Sequence, residues 1–505
     1  MIPAWATPPR CAVVDLGSNS VRLVVYEGLG RNPVAIFNEK ATLRLGRGLA
    51  TSGRLNADAI GPALRVMARY AAIARAMQAD PFEVLATAAV RDASNGPAFR
   101  AELEASIPGL RFRILTGAEE AGLSADGVLC GIPDALGVMA DIGGGSLEVV
   151  RLGGPRRAVS LGLGVIKLAD RAEGDPVRAR AIADADLSAV PWLQEGAEQS
   201  LYLVGGAFRA LARAHMLAVG YPLSIVHHYT IGRDAARDLA DRVMDFRKGD
   251  RVAGASRRRA EDLPMAAIVL RRLLRQTGAA RVVWSADGIR EGWYMRQVPP
   301  SERAREPMLA AAEEIATRYG RDPNLPPALY AWTTALFDHE PARAAQLRLA
   351  ACWLSDCGAH DHPEYRAEQA FLRVFHQPGV AIDHPGRAQL ALTVALRYEA
   401  EPDAPFLLPA RLLLDSDGVR RAEVLGTALR LAYVLSAGTT ALLAGANLRL
   451  GDGRVGLRLT AGAGVFAGDG AQRRLDRLAI ATGLAADPIV RDASKLTREF
   501  NITKQ

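Results

Sequence analysis

Cysteine is scarce: Cys11, Cys130, Cys352 and Cys357 are the only four in a chain of 505 residues. So few and so scattered, they exclude a disulfide framework and favour a reducing, cytoplasmic setting. Long apolar runs are missing too. No stretch of about 20 unbroken apolar residues occurs, which argues against a helical membrane span. The opening MIPAWATPPR has neither a basic flank nor an apolar centre, so no secretory leader is expected there. Nor is there a compact Lys/Arg tail. The short runs SRRRA (256–260) and RRLLR (271–275) sit in helix-like context and read first as solvated helix faces. No specific nucleic-acid partner is expected. What the chain does have is a globular balance, 49% hydrophobic and 23% charged, with 62 basic against 55 acidic residues and a net charge of +7. That surplus favours polyanionic partners without choosing among them. A chain this long needs more than one core.

From Cys11 to about Ala50, β-branched runs (CAVVDL, VRLVVYE, VAIFNEKATLRL) alternate with Gly and Asn turns. Asn56 is placed to cap a helix whose Ile60, Ala63, Leu64, Met67, Ala71, Ala74 and Met77 form one apolar stripe. FEVLATAAV and RFRILTG read as further strands, each leading into a helix, which gives a βββαβα unit. From Gly137 the order repeats. GVMADIG, LEVVRL and RAVSLGLG read as strands; LYLVGGAF (201–208) and RVVWSADGIREGWYM (281–295) read as strands entering helices. The pattern is a tandem duplication of a mixed α/β fold, with domains at 1–125 and 126–300. QVPPSER (297–303) reads as a linker. Residues 301–505 read as a mostly α-helical domain, with a β-hairpin near 445–466 turning at Gly-Asp-Gly.

Two stretches carry chemistry. Asp15-Leu16-Gly17-Ser18-Asn19-Ser20 aligns with Asp141-Ile142-Gly143-Gly144-Gly145-Ser146, each at the tip of a hairpin between apolar strands. Small residues let backbone N–H groups approach an anion, and turn amides pointing one way form an anion nest. Serine hydroxyls add donors. Gly17, Ser18, Asn19 and Ser20, with Gly143, Gly144, Gly145 and Ser146, are therefore the expected phosphate-binding residues. A carboxylate repels phosphate, so Asp15 and Asp141 beside such nests imply an intervening Mg²⁺ or a role in positioning water. Glu148, seven residues beyond Asp141 on the returning strand, can face it and share the ion; an edge-strand surface carboxylate is the alternative. One such turn is an ordinary hairpin, but two matched copies point to phosphate.

The paired turns resemble the phosphate motifs of the actin, sugar-kinase and chaperone ATPase superfamily, where two domains clamp phosphate between two such loops. More narrowly, DLGSNSVRLVV, ATAAVRDASN, LTGAEEAGL, DIGGGSLEVV, SLGLGVIKL, VGGAFRALA and ADGIREG resemble, in order over about residues 10–300, the motifs of the exopolyphosphatase / guanosine pentaphosphate phosphohydrolase family. The resemblance implies two tandem actin-like (ribonuclease H-like) α/β domains. It implies Mg²⁺-dependent hydrolysis of a terminal phosphoanhydride, with other divalent cations or K⁺ as alternatives. It places the catalytic glutamate at Glu120, the second of Glu119-Glu120, to orient and deprotonate the attacking water. Favourable helix N-terminal charge is the structural alternative. Asp141 and Glu148 match the family as metal-side carboxylates. Arg91 would neutralise the transferring phosphoryl group, or pair with Asp92. Lys167 and Arg209 are weaker candidates for contacts to a phosphate chain. Asp287-Gly288 reads first as a structural turn.

Family members with long C-terminal extensions often carry a helical domain related to His-Asp metal phosphohydrolases. AACWLSDCGAHDHPEY (350–365) departs from that pattern, with Ser355-Asp356 where His-Asp belongs. The domain is therefore degenerate and no dinuclear metal site is assumed. Cys352, Cys357, His360 and His362 lack a standard zinc spacing. The arginines of 250–275 and 343–430 are candidates for a basic path along a phosphate chain. The implied reaction is release of orthophosphate from inorganic polyphosphate. Trimming of guanosine pentaphosphate to tetraphosphate, alone or as a dual activity, is the alternative, and guanosine phosphates are candidate regulators. A kinase or ATPase on the same fold needs an adenosine pocket, and Phe208 and Arg209 crowd the loop where it would lie. A homodimer through the helical third is implied by the resemblance alone.

Overall fold

The computed structural model describes residues 8–245, 254, 260–378, 381–460 and 468–491. The chain divides into two compact units, Met1–Arg305 and Glu306–Gln505. The division falls just past the stretch read as a linker. That stretch is itself the end of helix Ile289–Gln297 and a short helix Pro300–Arg303.

In the first unit two sheets repeat one topology. β1 (Arg10–Leu16), β2 (Ser20–Glu27) and β3 (Val34–Thr42) form an antiparallel meander. β4 (Phe82–Ala86) and β5 (Arg111–Ile114) add in parallel, in the order β3-β2-β1-β4-β5. The second sheet is built from β6 (Gly137–Ile142), β7 (Leu147–Leu152), β8 (Ala158–Leu161), β9 (Ser200–Val204), β10 (Thr230–Gly232) and β11 (Arg281–Trp284), in the order β8-β7-β6-β9-β11-β10. Its first five positions match the first sheet, with β10 added antiparallel at the edge. The fold is thus the duplicated α/β class expected. β1 and β6 are apolar nearly throughout because helices cover both faces of each sheet. Helix Ala57–Ala76 lays Ala63, Met67, Ala71 and Ala74 on the first sheet, and the Asn56 side chain caps it by accepting the Asp58 amide.

One strand is shorter than its pattern. FEVLATAAV leaves the sheet at Ala86, the last residue paired with β1, which itself ends at Leu16. With no partner left, Ala88–Asp92 turns helical, with Arg91 in its last turn.

Helix Gly117–Gly131 packs on both sheets: Leu123 and Cys130 meet Val13 and Leu85, whereas Ala121, Ala125 and Val128 meet Met139, Val150 and Tyr202. It runs through the expected 125/126 boundary. Helix Ile289–Gln297 returns to the first sheet, with Trp293 and Tyr294 in the same cluster as Val13. These two helices touch backbone to backbone. A Cβ on Gly127 would stand 2.0 Å from the Gly288 carbonyl oxygen, and one on Gly292 1.9 Å from that of Leu123.

The second unit is mainly helical, with a core that joins Val424, Leu431 and Leu435 to Leu457, Leu475 and Leu478. Its hairpin, β12 (Ala446–Gly451) and β13 (Arg454–Leu459), turns at Asp452-Gly453, both at positive φ (50° and 72°), as a two-residue loop requires. Parallel pairing with Ala485–Ala486 and Val490–Arg491 makes it part of a small sheet that the sequence pattern does not announce. Residues 461–466 lie outside the described residues.

Cys352 and Cys357 are buried while His360 and His362 are exposed. Among the described residues, no group of three or more His, Cys, Asp or Glu is placed to hold a metal ion. Asp356, at the degenerate position, instead accepts two bonds from the Arg321 guanidinium (2.9 and 2.8 Å) and one from Arg397 (3.4 Å). Most of the described arginines of 343–430, expected to line a basic path, are paired with acids or carbonyls of their own unit. Arg348 and Arg421 share Glu340, Arg373 binds Asp361, Arg411 binds Glu423, and Arg430 binds Glu399. Arg387 is buried on the carbonyls of Val374, Phe375 and Gln377. These arginines are spent on their own unit. Further upstream, Arg271 and Arg272 pair with Asp241 and Asp184, and SRRR (256–259) lies outside the described residues. Among those residues, no helix is long and apolar enough to cross a membrane.

The glycine crossing gives a stability prediction. At Gly292 an added methyl meets backbone, which cannot swing aside. Gly292→Ala is expected to cost at least the ~1–3 kcal/mol typical of overpacking. Urea denaturation of the wild type and the variant measures it; equal midpoints contradict the packing account.

Candidate active site

The two hairpin tips close in the same way. The Gly17 amide donates to the Ser20 carbonyl at 3.1 Å, and the Gly143 amide to that of Ser146 at 2.9 Å. The tips then meet. A Cβ on Gly144 would lie 3.1 Å from Ser18 Cβ, and one on Gly145 2.9 Å from Ser18 Oγ. Glycine at 144 and 145 is thus needed for the close approach of the loops. Together the loops wall a cleft of about 170 Å³. Asp15, Gly17, Ser18, Asn19, Ser20, Gly143, Gly144, Gly145 and Ser146 line it, and so do Glu120, Asp141 and Glu148.

The Glu119-Glu120 pair divides its labour. Thr116 caps the helix and Glu119 completes a capping box. Glu119 Oε2 accepts the Thr116 amide at 2.8 Å, and Thr116 Oγ accepts the Glu119 amide at 3.2 Å. That leaves Glu120 to face the cleft. Ser124 lies one turn further along the same helix face and donates to Asp141 Oδ2 at 2.5 Å. One helix therefore sets both the glutamate and an acid of the second loop.

Arg91 is not in the cleft wall. Its Nη1 donates to Glu120 Oε2 at 3.2 Å and to the Leu115 carbonyl at 3.0 Å, and its Nε donates to Asp92 Oδ1 at 3.2 Å. Lys167 is not in the wall either; its Nζ reaches Asp92 Oδ2 at 3.2 Å.

Asp141 and Glu148 stand directly opposite each other on β6 and β7, on one face. Such a pair has Cβ atoms about 4.5–5.5 Å apart. Ser160 donates to Glu148 Oε1 at 2.8 Å. Glu148 is 1% exposed. Burial, then the Asp141 charge, push its carboxyl up to about 7. Burial raises Asp141 too, against the Ser124 hydrogen bond. Glu120 is held well above the usual carboxylate range by burial and then by Glu148, with Arg91 pulling the other way.

The duplicated loops differ at one telling position. Seven residues after Asp15 comes Arg22, directly across β1–β2; seven after Asp141 comes Glu148. The first copy faces its acid with a cation and the second with another acid. Burial raises the carboxyl of Asp15 above its ordinary value, with Arg290 and then Arg22 pulling the other way. The second loop is left short of positive charge. Two carboxylates, each with one oxygen held by serine, suit Mg²⁺, which keeps several waters and takes one or two carboxylates plus phosphate oxygens. They do not suit a closed all-protein cage.

Sequence reasoning misses Arg22, Lys40, Asp262 and Arg290, which all line the cleft. Arg22 is detectable by aligning the loops past Ser146, and Arg290 lies inside the ADGIREG motif. Arg209, rated weakly, lines the cleft as well; burial, then Arg290, push its guanidinium down to about 10. Phe208 does not crowd the cleft. It is fully buried in the second sheet's core, where its carbonyl accepts the Trp284 indole N–H at 2.9 Å. Asp287, beside Gly288 in the cleft wall, is half-buried, with its carboxyl raised to about 8 by loss of solvation and then by Glu291.

Comparison with known proteins identifies the family of each unit. The Ppx/GppA phosphatase family matches residues 24–300, and the family described as exopolyphosphatase, C-terminal, matches residues 308–489. Exopolyphosphatase 2 of Mycobacterium tuberculosis is 33% identical over 190 residues, 35% of this chain and 59% of that protein. The chain thus spans less than two thirds of that relative's length. Exopolyphosphatase 1 of Mycobacterium bovis is 28% identical over 305 residues, 57% of this chain and 88% of that protein. A crystal structure of an exopolyphosphatase from Cytophaga hutchinsonii aligns with a TM-score of 0.53 at 22% identity, covering 57% of this chain and 97% of that one. At that identity the likeness speaks to fold.

The raised Glu148 carboxyl predicts a pH dependence of stability. Its folded value of about 7 exceeds the ordinary 4.5, so the folded state binds the proton more tightly. The contribution is stabilising below about 4.5 and is lost as pH rises towards 7. Glu148→Gln removes this slope. Denaturation at pH 5 and pH 7.5 without divalent cations should show the variant gaining stability relative to wild type at the higher pH. An unchanged difference contradicts the assignment.

Proposed function

The chain belongs to the Ppx/GppA phosphatase family, and from that premise we propose that its cleft hydrolyses the terminal phosphoanhydride of inorganic polyphosphate and releases orthophosphate. The observation that carries the reading is Glu120 in the wall beside Asp141 and Glu148, gripped by Arg91 and facing the two glycine loops. A general base works best with a proton affinity near the working pH, and burial moves Glu120 in that direction. Glu120 would orient a water and take its proton. Arg91 would fix the carboxylate's direction, while its charge helps to offset the phosphoryl group. The loops 17–20 and 143–146 would hold the terminal phosphate from two sides through amides and serine hydroxyls. Asp141 and Glu148 would hold Mg²⁺, which when bound offsets the charge spreading over the phosphoryl oxygens. Asp15 would face water or the ion's hydration shell. Arg22, Lys40, Arg209 and Arg290 would take the next phosphates of the chain.

The relatives named above are exopolyphosphatases, which favours polyphosphate over guanosine pentaphosphate. Phosphate binding is taken to be short-range, since Arg348, Arg373, Arg411, Arg421 and Arg430 of the second unit are paired within it. The reading takes the protein to be a cytoplasmic enzyme; the homodimer belongs to the proposal through the family alone.

Two measurements test it. Pure protein with Mg²⁺ is given long-chain polyphosphate, guanosine pentaphosphate or ATP, and phosphate release is followed. Release from polyphosphate is expected; release from ATP alone overturns the reading. Glu120→Gln is expected to lower kcat by about 10²–10⁴, the range of general acid–base catalysis, while the protein stays folded. Retained activity removes Glu120 from the base role.

A further inference from the structure

Asp92 lies between two groups that belong to the two halves of the duplication, Arg91 of the first and Lys167 of the second. One oxygen accepts from Arg91 Nε and the other from Lys167 Nζ, each at 3.2 Å. The Arg91 guanidinium spans two carboxylates, Asp92 through Nε and Glu120 through Nη1. Lys167 is tied to the second phosphate loop. The amides of Ile166 and Lys167 both donate to the Gly144 carbonyl (2.9 and 3.1 Å), and the Val165 amide donates to that of Gly143 (3.1 Å). Three amides thus fix the start of helix Val165–Arg171 to the loop.

We infer that Asp92 and Lys167 are positioning residues that couple closure of the Gly143–Ser146 loop to the alignment of Glu120. The inference rests on the hydrolytic reading above. A loop drawn onto phosphate carries Lys167 against Asp92, Asp92 fixes the Arg91 fork, and Arg91 fixes the carboxylate. A half-open cleft leaves Lys167 short of Asp92, so the guanidinium can turn and Glu120 loses its direction. Neither Asp92 nor Lys167 lines the cleft, so neither needs to touch substrate. The Asp92 and Lys167 side chains are 34% and 35% exposed. Water screens such a pair, which bounds its worth at about 1 kcal/mol.

The test is a cycle of Asp92→Asn, Lys167→Met and the double variant, with Lys167→Arg as the conservative control, assayed on polyphosphate. Each single variant is expected to lower kcat about fivefold, about 1 kcal/mol in barrier, with KM within about twofold. The double variant is expected to be no worse than either single, and Lys167→Arg to recover most of the rate. Wild-type kcat in either single variant overturns the coupling. So do effects that multiply in the double variant, and so does a loss at Lys167 that falls on KM, which makes it a direct phosphate contact. If the wild type acts on ATP or guanosine pentaphosphate instead, the substrate reading fails and the same cycle on that substrate still decides the coupling. No hydrolysis of any of the three overturns both.

Discussion

Asp141, half-buried, and Glu148, buried, stand side by side with no direct ion pair to either among the described residues, and much of the site follows from that charge deficit. Two carboxylates at this spacing cannot both ionise cheaply away from water. The molecule meets the cost in part with Ser124 and Ser160, and in part by raising the proton affinity of both acids. The remainder is an affinity for positive charge that a divalent cation and its phosphate partner can satisfy together. In the other half of the duplication, the equivalent pair is Asp15 and Arg22; burial raises Asp15 as well, but Arg290 and Arg22 pull against it. One ancestral hairpin pair has thus become a neutral grip and an acidic one.

The scaffold holds this arrangement by making one helix serve two tasks. Gly117–Gly131 carries Glu120 and Ser124 on its cleft side and packs on both sheets through its other faces. Its backbone contact with Ile289–Gln297, at Gly127 and Gly292, brings Gly288 and Arg290 into the wall. The same contact leaves no room for the two helices to slide while keeping Glu120 in place. Elsewhere the two halves of the duplication meet through polar side chains, at Asp92 with Lys167, at Asn19 with Asp262, and at Arg44 with Glu261.

Much of this is legible in the sequence, because its signals are local. The matched Asp-to-Ser turns, the Asn56 cap and the two-residue turn at Asp452-Gly453 each need only a few neighbouring residues. The fold class follows from the order of strands. What is not legible depends on partners far along the chain. Arg91 is 29 residues from Glu120, so a one-residue step to Asp92 looks just as plausible, and the structure uses both. The arginines of 343–430 look like an open basic path until their acids appear; Arg421 finds Glu340 from 81 residues away. Phe208 looks like a plug for the cleft because a sequence does not say which way a side chain points at the start of a helix. Arg22 escapes notice because its sign is opposite to that of Glu148, the residue it matches.

The central claim is that the two loops grip one phosphate beside a cation held by Asp141 and Glu148. A crystal structure of Glu120→Gln grown with Mg²⁺ and a short polyphosphate tests it most directly. The account predicts the terminal phosphate between residues 17–20 and 143–146, within hydrogen-bond reach of their amides, and the ion on Asp141 and Glu148. A terminal phosphate seated on the Arg209 and Arg290 side, with both acids bare, would contradict it.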